Sequence, residues 1–447
     1  MINNGWSQVV AQFLHGYPRL YEVARRLRNR VHRLRNRVQR ISAYAVRSVV
    51  TDYSDLELTL DHKPQLLIDI SQIHERPLTD CTDAGVQRVT RNHLSWLLGN
   101  SPAEITVKPV YSPGKNTYLY AERYCHLLAG KRAGFLTVDT PVHLRRNDIF
   151  LVLDLAQDVQ IENGEFFKQL IATGAKLKFL IHDLLPIEFP NHFYDQDLAS
   201  KHSKLMSLAV QSHGAICVSE ATESSLHAWI KEHSIATHPD FSSTVVPNGV
   251  DSTPIENGRQ PSQETIEAFS KLGKEPIFLM VSTIEPRKMH RQVIDAFRLL
   301  WQEGIEIGLV IVGQDGWDSA GVVAEIRELH KSSKPLIWLG RVDDRSLRYC
   351  YQNSSCLIAA SENEGFGLSL IEAGQYSLPI IARDIPVFRE VASNHASFFL
   401  GTSANELAAH IKKWLVLREN NQHPNTKGFK VLSWQESSAL LLKKVLS

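Results

Sequence analysis

The chain has 447 residues and no run of eighteen or more apolar ones, so no membrane-spanning helix is expected from it. Its five cysteines, at positions 81, 125, 217, 350 and 356, include no Cys-x-x-Cys pair. They read as reduced thiols in a cytoplasmic protein, not as disulfides or zinc ligands. The opening Met1-Ile2-Asn3-Asn4-Gly5-Trp6 lacks a basic start followed by an apolar core, so no secretory signal is expected. Neither Gly-x-Gly-x-x-Gly nor Gly-x4-Gly-Lys-Ser/Thr occurs, which argues against a dinucleotide oxidoreductase and a P-loop kinase. His192, His202 and His213 are not at tight metal-ligand spacing. Asp195-Gln196-Asp197 falls in a predicted helical stretch and reads as a solvated face, so no metal site is expected. The first fifty residues contain no lysine, ten arginines and one acid, Glu22, a net +9. Since the whole chain is +1, the remainder carries −8. A basic segment on a mildly acidic body points to an anionic surface as partner.

What is present fits a globular protein of two domains: 43% apolar and 22% charged residues over a length ample for two cores. In residues 17–50, Leu27, Val31, Leu34, Val38, Ile41 and Ala45 recur at spacings of four and three. The spacing predicts an amphipathic helix with an arginine-rich polar face. Two readings stand: a helix lying on an anionic membrane at the inner face, or a short coiled coil or body-packed helix. Its narrow seam without Phe or Trp weakens the first, and no nucleic-acid module accompanies the arginines. Residues 51–64 read as a linker.

Beyond it, short apolar runs alternate with helical patterns. Strands are expected at Leu66–Ile70, Ile105–Val110, Ile149–Asp154, Lys178–Ile181, Ala215–Val218 and around Thr244–Val246. After a polar connection over 252–274 they resume at 276–283, 308–313, 336–342, 355–360 and 378–382. The alternation predicts an α/β protein built from doubly wound parallel sheets. The expected organisation is residues 1–64 basic helix and linker, 65–251 first domain, 252–274 connection, and 275–447 second domain with a closing helix.

The densest chemistry lies in Ser361-Glu362-Asn363-Glu364-Gly365-Phe366-Gly367-Leu368-Ser369-Leu370-Ile371-Glu372-Ala373-Gly374, between two predicted strands. A glycine loop opening a helix offers free N–H groups and a positive dipole end. Glu364 in the loop and Glu372 a turn or so into the helix are acceptors suited to sugar hydroxyls. Phosphate, ribose and hexose together make a nucleotide sugar. The plain alternative is that Glu364 caps the helix and Glu372 is solvated.

This segment, with Leu378-Pro379 after it, resembles the glutamate-seven-residues-glutamate stretch of retaining glycosyltransferases of family 4. Glu285-Pro286-Arg287-Lys288 resembles that family's basic loop, and Ile181-His182-Asp183-Leu184-Leu185-Pro186 its histidine turn. Gly85 with Arg88 and Arg91, and the Gly313-Gln314-Asp315-Gly316-Trp317 turn, resemble bacterial O-antigen and capsule mannosyltransferases. Ser219-Glu220-Ala221 resembles the family's serine turn and reads equally as a helix cap. The resemblance covers residues 66–447. It implies the GT-B fold, two Rossmann-like doubly wound domains facing across a cleft, and a retaining, metal-independent hexosyltransferase. The implied roles are Glu364 and His182 at the transferred sugar and Glu372 on the ribose diol. Arg287, Lys288 and Gly85 would meet the diphosphate, the Phe366 and Gly367 N–H groups would help Glu364 hold the sugar hydroxyls, Leu368 would be a further donor-binding residue, and Arg341 would border the base pocket. GDP-mannose is the preferred donor and a saccharide, free or lipid-linked, the acceptor, with no cofactor and no nucleic acid. A UDP-sugar donor is the runner-up, and a non-catalytic nucleotide-sugar-binding subunit the alternative outside enzymes.

Overall fold

The computed structural model describes residues 63–75, 85–128, 138–193, 195, 197–251, 260–273 and 276–447. The expected helix over 17–50, the linker to residue 62, the loop 76–84 with Cys81, and residues 252–259 and 274 of the connection lie outside the described residues. Among the described residues no helix is long and apolar enough to cross a membrane.

Two sheets organise the rest. The first runs β3-β2-β1-β4-β5-β6-β7. Its strands are β1 (Gln65–Asp69), β2 (Thr106–Gly114), β3 (Thr117–Tyr120), β4 (Ile149–Val152), β5 (Lys176–Ile181), β6 (Gly214–Cys217) and β7 (Ser242–Val245). The second runs β10-β9-β8-β11-β12-β13. It is built from β8 (Ile277–Val281), β9 (Gly308–Val312), β10 (Leu336–Gly340), β11 (Cys356–Ala359), β12 (Ile380–Arg383) and β13 (Ala396–Phe399). All pairings are parallel except β2 with β3. Parallel strands covered by helices on both faces are apolar at successive positions. In β1, Leu66 and Ile68 enter one core cluster while Leu67 enters the cluster on the opposite face. In β11, Cys356 and Ile358 face one way and Leu357 and Ala359 the other.

Two strands go beyond the sequence expectation. β3 turns back on β2 through Lys115-Asn116, where Asn116 takes φ +53, the left-handed conformation such tight turns need. Pro109 and Pro113 lie within β2, which is why the run read as ending early. β13, Ala-Ser-Phe-Phe, is short and half-buried in its middle. Asp195 and Asp197 do not lie within a helix, as expected, but just ahead of the helix Leu198–Val210. The Asp197 N–H donates to the Asp195 side chain (3.0 Å), a local bond that competes with helix formation.

In both sheets the strand order reverses, between β1 and β4 and between β8 and β11. A crevice outside the carboxyl ends of the strands opens at such a reversal. In the second sheet the segments flanking it are Ser282–Met289 after β8 and Ala360–Gly367 after β11. The closing helix Trp434–Leu446 returns to the first domain. Leu441, Leu442 and Val445 join the cluster of β1 and β4, and the helix packs on Val86–Gly99. Backbone bonds from Val250 N–H to Leu432 O (2.8 Å) and from Trp434 N–H to Val250 O (2.9 Å) fix the crossing.

Candidate functional site

After β8 the chain makes a short 3-10 turn at Pro286–Lys288, then Met289 takes φ +59 and the helix His290–Gln302 begins. The turn is held from below: Gly313 has φ +153, and a Cβ there would stand 1.8 Å from Ser282 O. Only glycine permits that approach. The Glu362 N–H donates to Arg287 O (2.9 Å), tying this turn to the loop after β11.

Arg287, Lys288 and Glu364 therefore meet. Arg287 Nη1 donates to Glu364 Oε2 (3.1 Å), Lys288 Nζ pairs with Glu364 Oε1, and the Ser361 hydroxyl donates to the same oxygen (2.8 Å). Arg287 also reaches Glu285 Oε2 and Asn363 O, at 3.1 and 3.3 Å. Burial alone would raise the Glu364 carboxyl, but the Lys288 and Arg287 charges outweigh it and hold it at about 2. Burial raises Glu285 despite the same cations, and burial together with Arg287 lowers Lys288. The group thus holds two cations against one firmly ionised carboxylate and a second whose ionisation burial opposes. Burial opposes the charge on Lys288 as it does on Glu285, and the cluster sits at the strand-order reversal.

The helix Leu368–Gln375 begins just beyond, with Gly367 at its N-cap (φ +96) and Leu368 half-buried in its first turn. Among the described residues the N–H groups of Phe366, Gly367 and Leu368 meet no acceptor. The Phe366 ring is buried in the first domain's core, so the loop after β11 is anchored across the cleft.

His182 follows β5 and is 8% exposed. Burial lowers its pKa to about 4, so the ring is neutral near pH 7, and among the described residues its Nε2 has no partner. Its backbone oxygen lies against Gly365, where a Cβ would be 2.0 Å away. Asp183 begins the next turn, its Oδ1 accepting from the Leu185 N–H at 3.1 Å.

Glu372 departs from the expected free acceptor. The Tyr351 hydroxyl donates to Oε2 (2.5 Å), and Arg88 from the first domain pairs with Oε1 while also bonding Asp251 (2.8 Å). Both oxygens have protein partners, because the helix Val86–Gly99 brings Arg88 across the cleft. Gly85 caps that helix, exposed at φ +58 with nothing within 4 Å of an added Cβ. Arg341 is exposed past β10 and joins none of these contacts.

Further contacts between the two domains were not legible. The Ser219 and Thr222 hydroxyls donate to Gly365 O at 2.7 and 3.1 Å, and Ser219 also caps its own helix Glu220–Glu232. Glu390 accepts from the Glu220 and Ala221 N–H groups at 2.7 and 2.9 Å. Trp317 donates to His192 O (2.8 Å) and stacks on Phe193. The Gly316-Trp317 pair marked that turn in the sequence, whereas nothing local marks Glu390.

One group of metal-binding type occurs among the described residues, His213, His238 and Asp240, at the amino ends of β6 and β7, away from the cleft. The Nδ1 atoms of both rings accept backbone N–H groups, from Leu177 (3.2 Å) and Asp240 (3.1 Å). Their neutral rings then carry the proton on Nε2, so neither offers a free lone pair to a metal.

Residues 262–431 match the family described as Glycosyl transferases group 1. The chain carries a Glycosyl transferases group 1 domain. Over 388 residues, 86% of the chain, it is 34% identical to the serotype-specific mannosyltransferase WbdA of Escherichia coli. That alignment covers 46% of WbdA, so the chain spans less than half the length of this curated relative. The O-antigen chain mannosyltransferase B of Escherichia coli is 28% identical over 30% of the chain and 35% of its own length. Among solved structures, sucrose-phosphate synthase from Thermosynechococcus elongatus superposes with a TM-score of 0.58 at 16% identity, covering 86% of the chain and 98% of that protein. Anabaena HepE, in complex with UDP and glucose, gives 0.57 at 14% identity, covering 86% and 100%. The group 1 domain and the sheet before it thus have the GT-B fold. The loops holding Arg287, Lys288 and Glu364 and the helix holding Glu372 all lie within the matched residues.

Proposed function

We propose that this chain is a retaining glycosyltransferase that moves mannose from GDP-mannose to a saccharide acceptor in bacterial surface polysaccharide synthesis. The observation that carries the reading is the Arg287-Lys288-Glu364 cluster at the strand-order reversal, beside the free N–H groups that open the helix Leu368–Gln375. The identity to WbdA supports the choice of mannose.

In this reading the two cations and the helix N-terminus receive the diphosphate leaving group, so its charge is met by fixed dipoles and needs no metal. The anomeric carbon's bond to the diphosphate breaks and a bond to the acceptor oxygen forms on the same face. The acceptor's proton passes to the departing phosphate oxygen. Glu364 is unsuited to act as a nucleophile, since Lys288, Arg287 and Ser361 hold both its oxygens. It serves instead as a fixed acceptor for sugar hydroxyls. Neutral His182 offers its unpartnered Nε2 to the sugar or to charge developing on it. Glu372 reaches a ribose diol by exchanging Arg88 for it. A lipid-linked acceptor at the inner membrane face would agree with an arginine-rich segment at 17–50 lying on that surface.

The test pairs nucleotide binding with turnover. GDP at about 100 times its Kd should add roughly 2.7 kcal/mol of stability and raise the melting temperature. Glu364→Ala and Arg287→Ala should each lower mannosyl transfer at least about 100-fold in folded protein. Stabilisation by UDP alone would move the donor to a UDP-sugar. Full transfer by both variants, or no response to any nucleotide, would defeat the reading.

A further inference from the structure

A cavity of 480 Å³ opens beside Glu364, walled by both domains. Its acidic side chains are Asp183, Glu188, Glu220, Glu362, Glu364 and Glu390, and among the described residues no lysine or arginine lines it. Arg287 and Lys288 stand behind Glu364, outside the wall. An anion entering here would leave water for a surface of carboxylates with no cation in contact.

The wall asks for hydrogen-bond donors. Asn363 is 5% exposed and lines the cavity, and its Oδ1 has no donor. Glu188 and Glu220 are exposed, and their carboxylates have no partner among the described residues. Glu390 is different, since both its oxygens are taken by backbone N–H groups and it shapes the wall without offering charge to a ligand. Phe189, 39% exposed and stacked on His192 at 5.9 Å, gives the cavity an open aromatic surface. The C–H face of a pyranose packs on such a ring while its hydroxyls turn to the carboxylates.

We infer that this cavity is the acceptor subsite and that it takes the uncharged end of a saccharide while refusing a phosphorylated or otherwise anionic one. The inference rests on the transferase reading for the word acceptor and on the wall's chemistry for the class of ligand. Glu364 bounds the donor side, and Glu188, Phe189 and Glu220 form the facing wall of the first domain. Those three residues set acceptor specificity.

The experiment measures saccharide binding directly, without turnover. Saturation-transfer NMR on the full chain, with GDP present, compares α-linked mannobiose with the same disaccharide phosphorylated at the 6-hydroxyl of its non-reducing residue. The neutral sugar should bind at least tenfold more tightly. Phe189→Ala should weaken it at least fivefold, and the double variant Glu188→Lys, Glu220→Lys should narrow the preference to below threefold. All three positions are exposed or partly exposed, and a retained melting temperature verifies folding. Equal binding of both sugars, or a preference unmoved by the double variant, would overturn the inference. If a nucleotide stabilises the chain while the sugars show no preference, the subsite is wrong and the transferase reading stands. If the preference appears but no nucleotide stabilises the chain, the saccharide class is supported and the transferase reading falls.

Discussion

A missing Cβ at Gly365 lets the two domains touch beside the Glu364 carboxylate. A methyl there would meet His182 O at 2.0 Å and Asp183 Cβ at 3.0 Å, and the first of these is backbone that cannot swing aside. The Gly365 carbonyl is held by Ser219 and Thr222, so the loop cannot retreat without breaking buried bonds. Gly365→Ala should therefore cost about 1–3 kcal/mol, as overpacking does, and displace Glu364 next to it. A calorimetric melt together with a transfer assay checks this, and an unchanged melting temperature would show that the domains part there freely. Gly85 is the contrasting case. Among the described residues nothing lies within 4 Å of an added Cβ, so Gly85→Ala should cost the backbone strain of φ +58, ψ −128, about 1–3 kcal/mol.

The closing helix shows what elements contribute and how far they could be foreseen. Ser433 and Glu436 form a reciprocal capping box, the Ser433 hydroxyl accepting from the Glu436 N–H (3.1 Å) and Glu436 Oε2 accepting from the Ser433 N–H (2.8 Å). The cap fixes Trp434, 6% exposed, against His93 in the first domain. Ser433→Ala should cost about 1 kcal/mol, read as a lowered denaturant midpoint at unchanged slope. Elements of this kind were legible because their signals are local: a cap before an apolar period, or a continuous apolar run such as Leu357-Ile358-Ala359. β3 was not, because prolines interrupt β2 and the hairpin rests on a left-handed Asn116. The loop chemistry of Arg287, Lys288 and Glu364 was readable from motif spacing. The partners that occupy Glu372 were not, since Arg88 lies 284 residues away in sequence and no periodicity links them.

At the scale of the whole molecule, the site exists because the domains are pinned by dispersed contacts, and several of the groups they bury are titratable. Burial lowers the pKa of His74 and His182 to about 4 and of His93 and His290 to about 3, from an ordinary 6.5. Each is neutral in the folded chain and would take a proton on unfolding below pH 6.5. Their contribution is fully present above 6.5 and is lost as the pH falls toward 4 and below. Buried acids oppose them. Burial raises Asp154 to about 7 and also raises Asp69, Glu285, Asp344 and Glu390, so each favours the folded state at low pH and loses that contribution as the pH rises through its raised pKa. Where the histidines outweigh these acids, stability should fall with acidification, by about 1.4 kcal/mol per pH unit for each proton taken up on unfolding. A series of thermal melts from pH 6.5 to 5 should show a steadily declining midpoint, well above the range where Glu364 loses its charge. A flat or rising midpoint would mean that the histidines open to solvent, and with them the interface that holds His182 against Gly365.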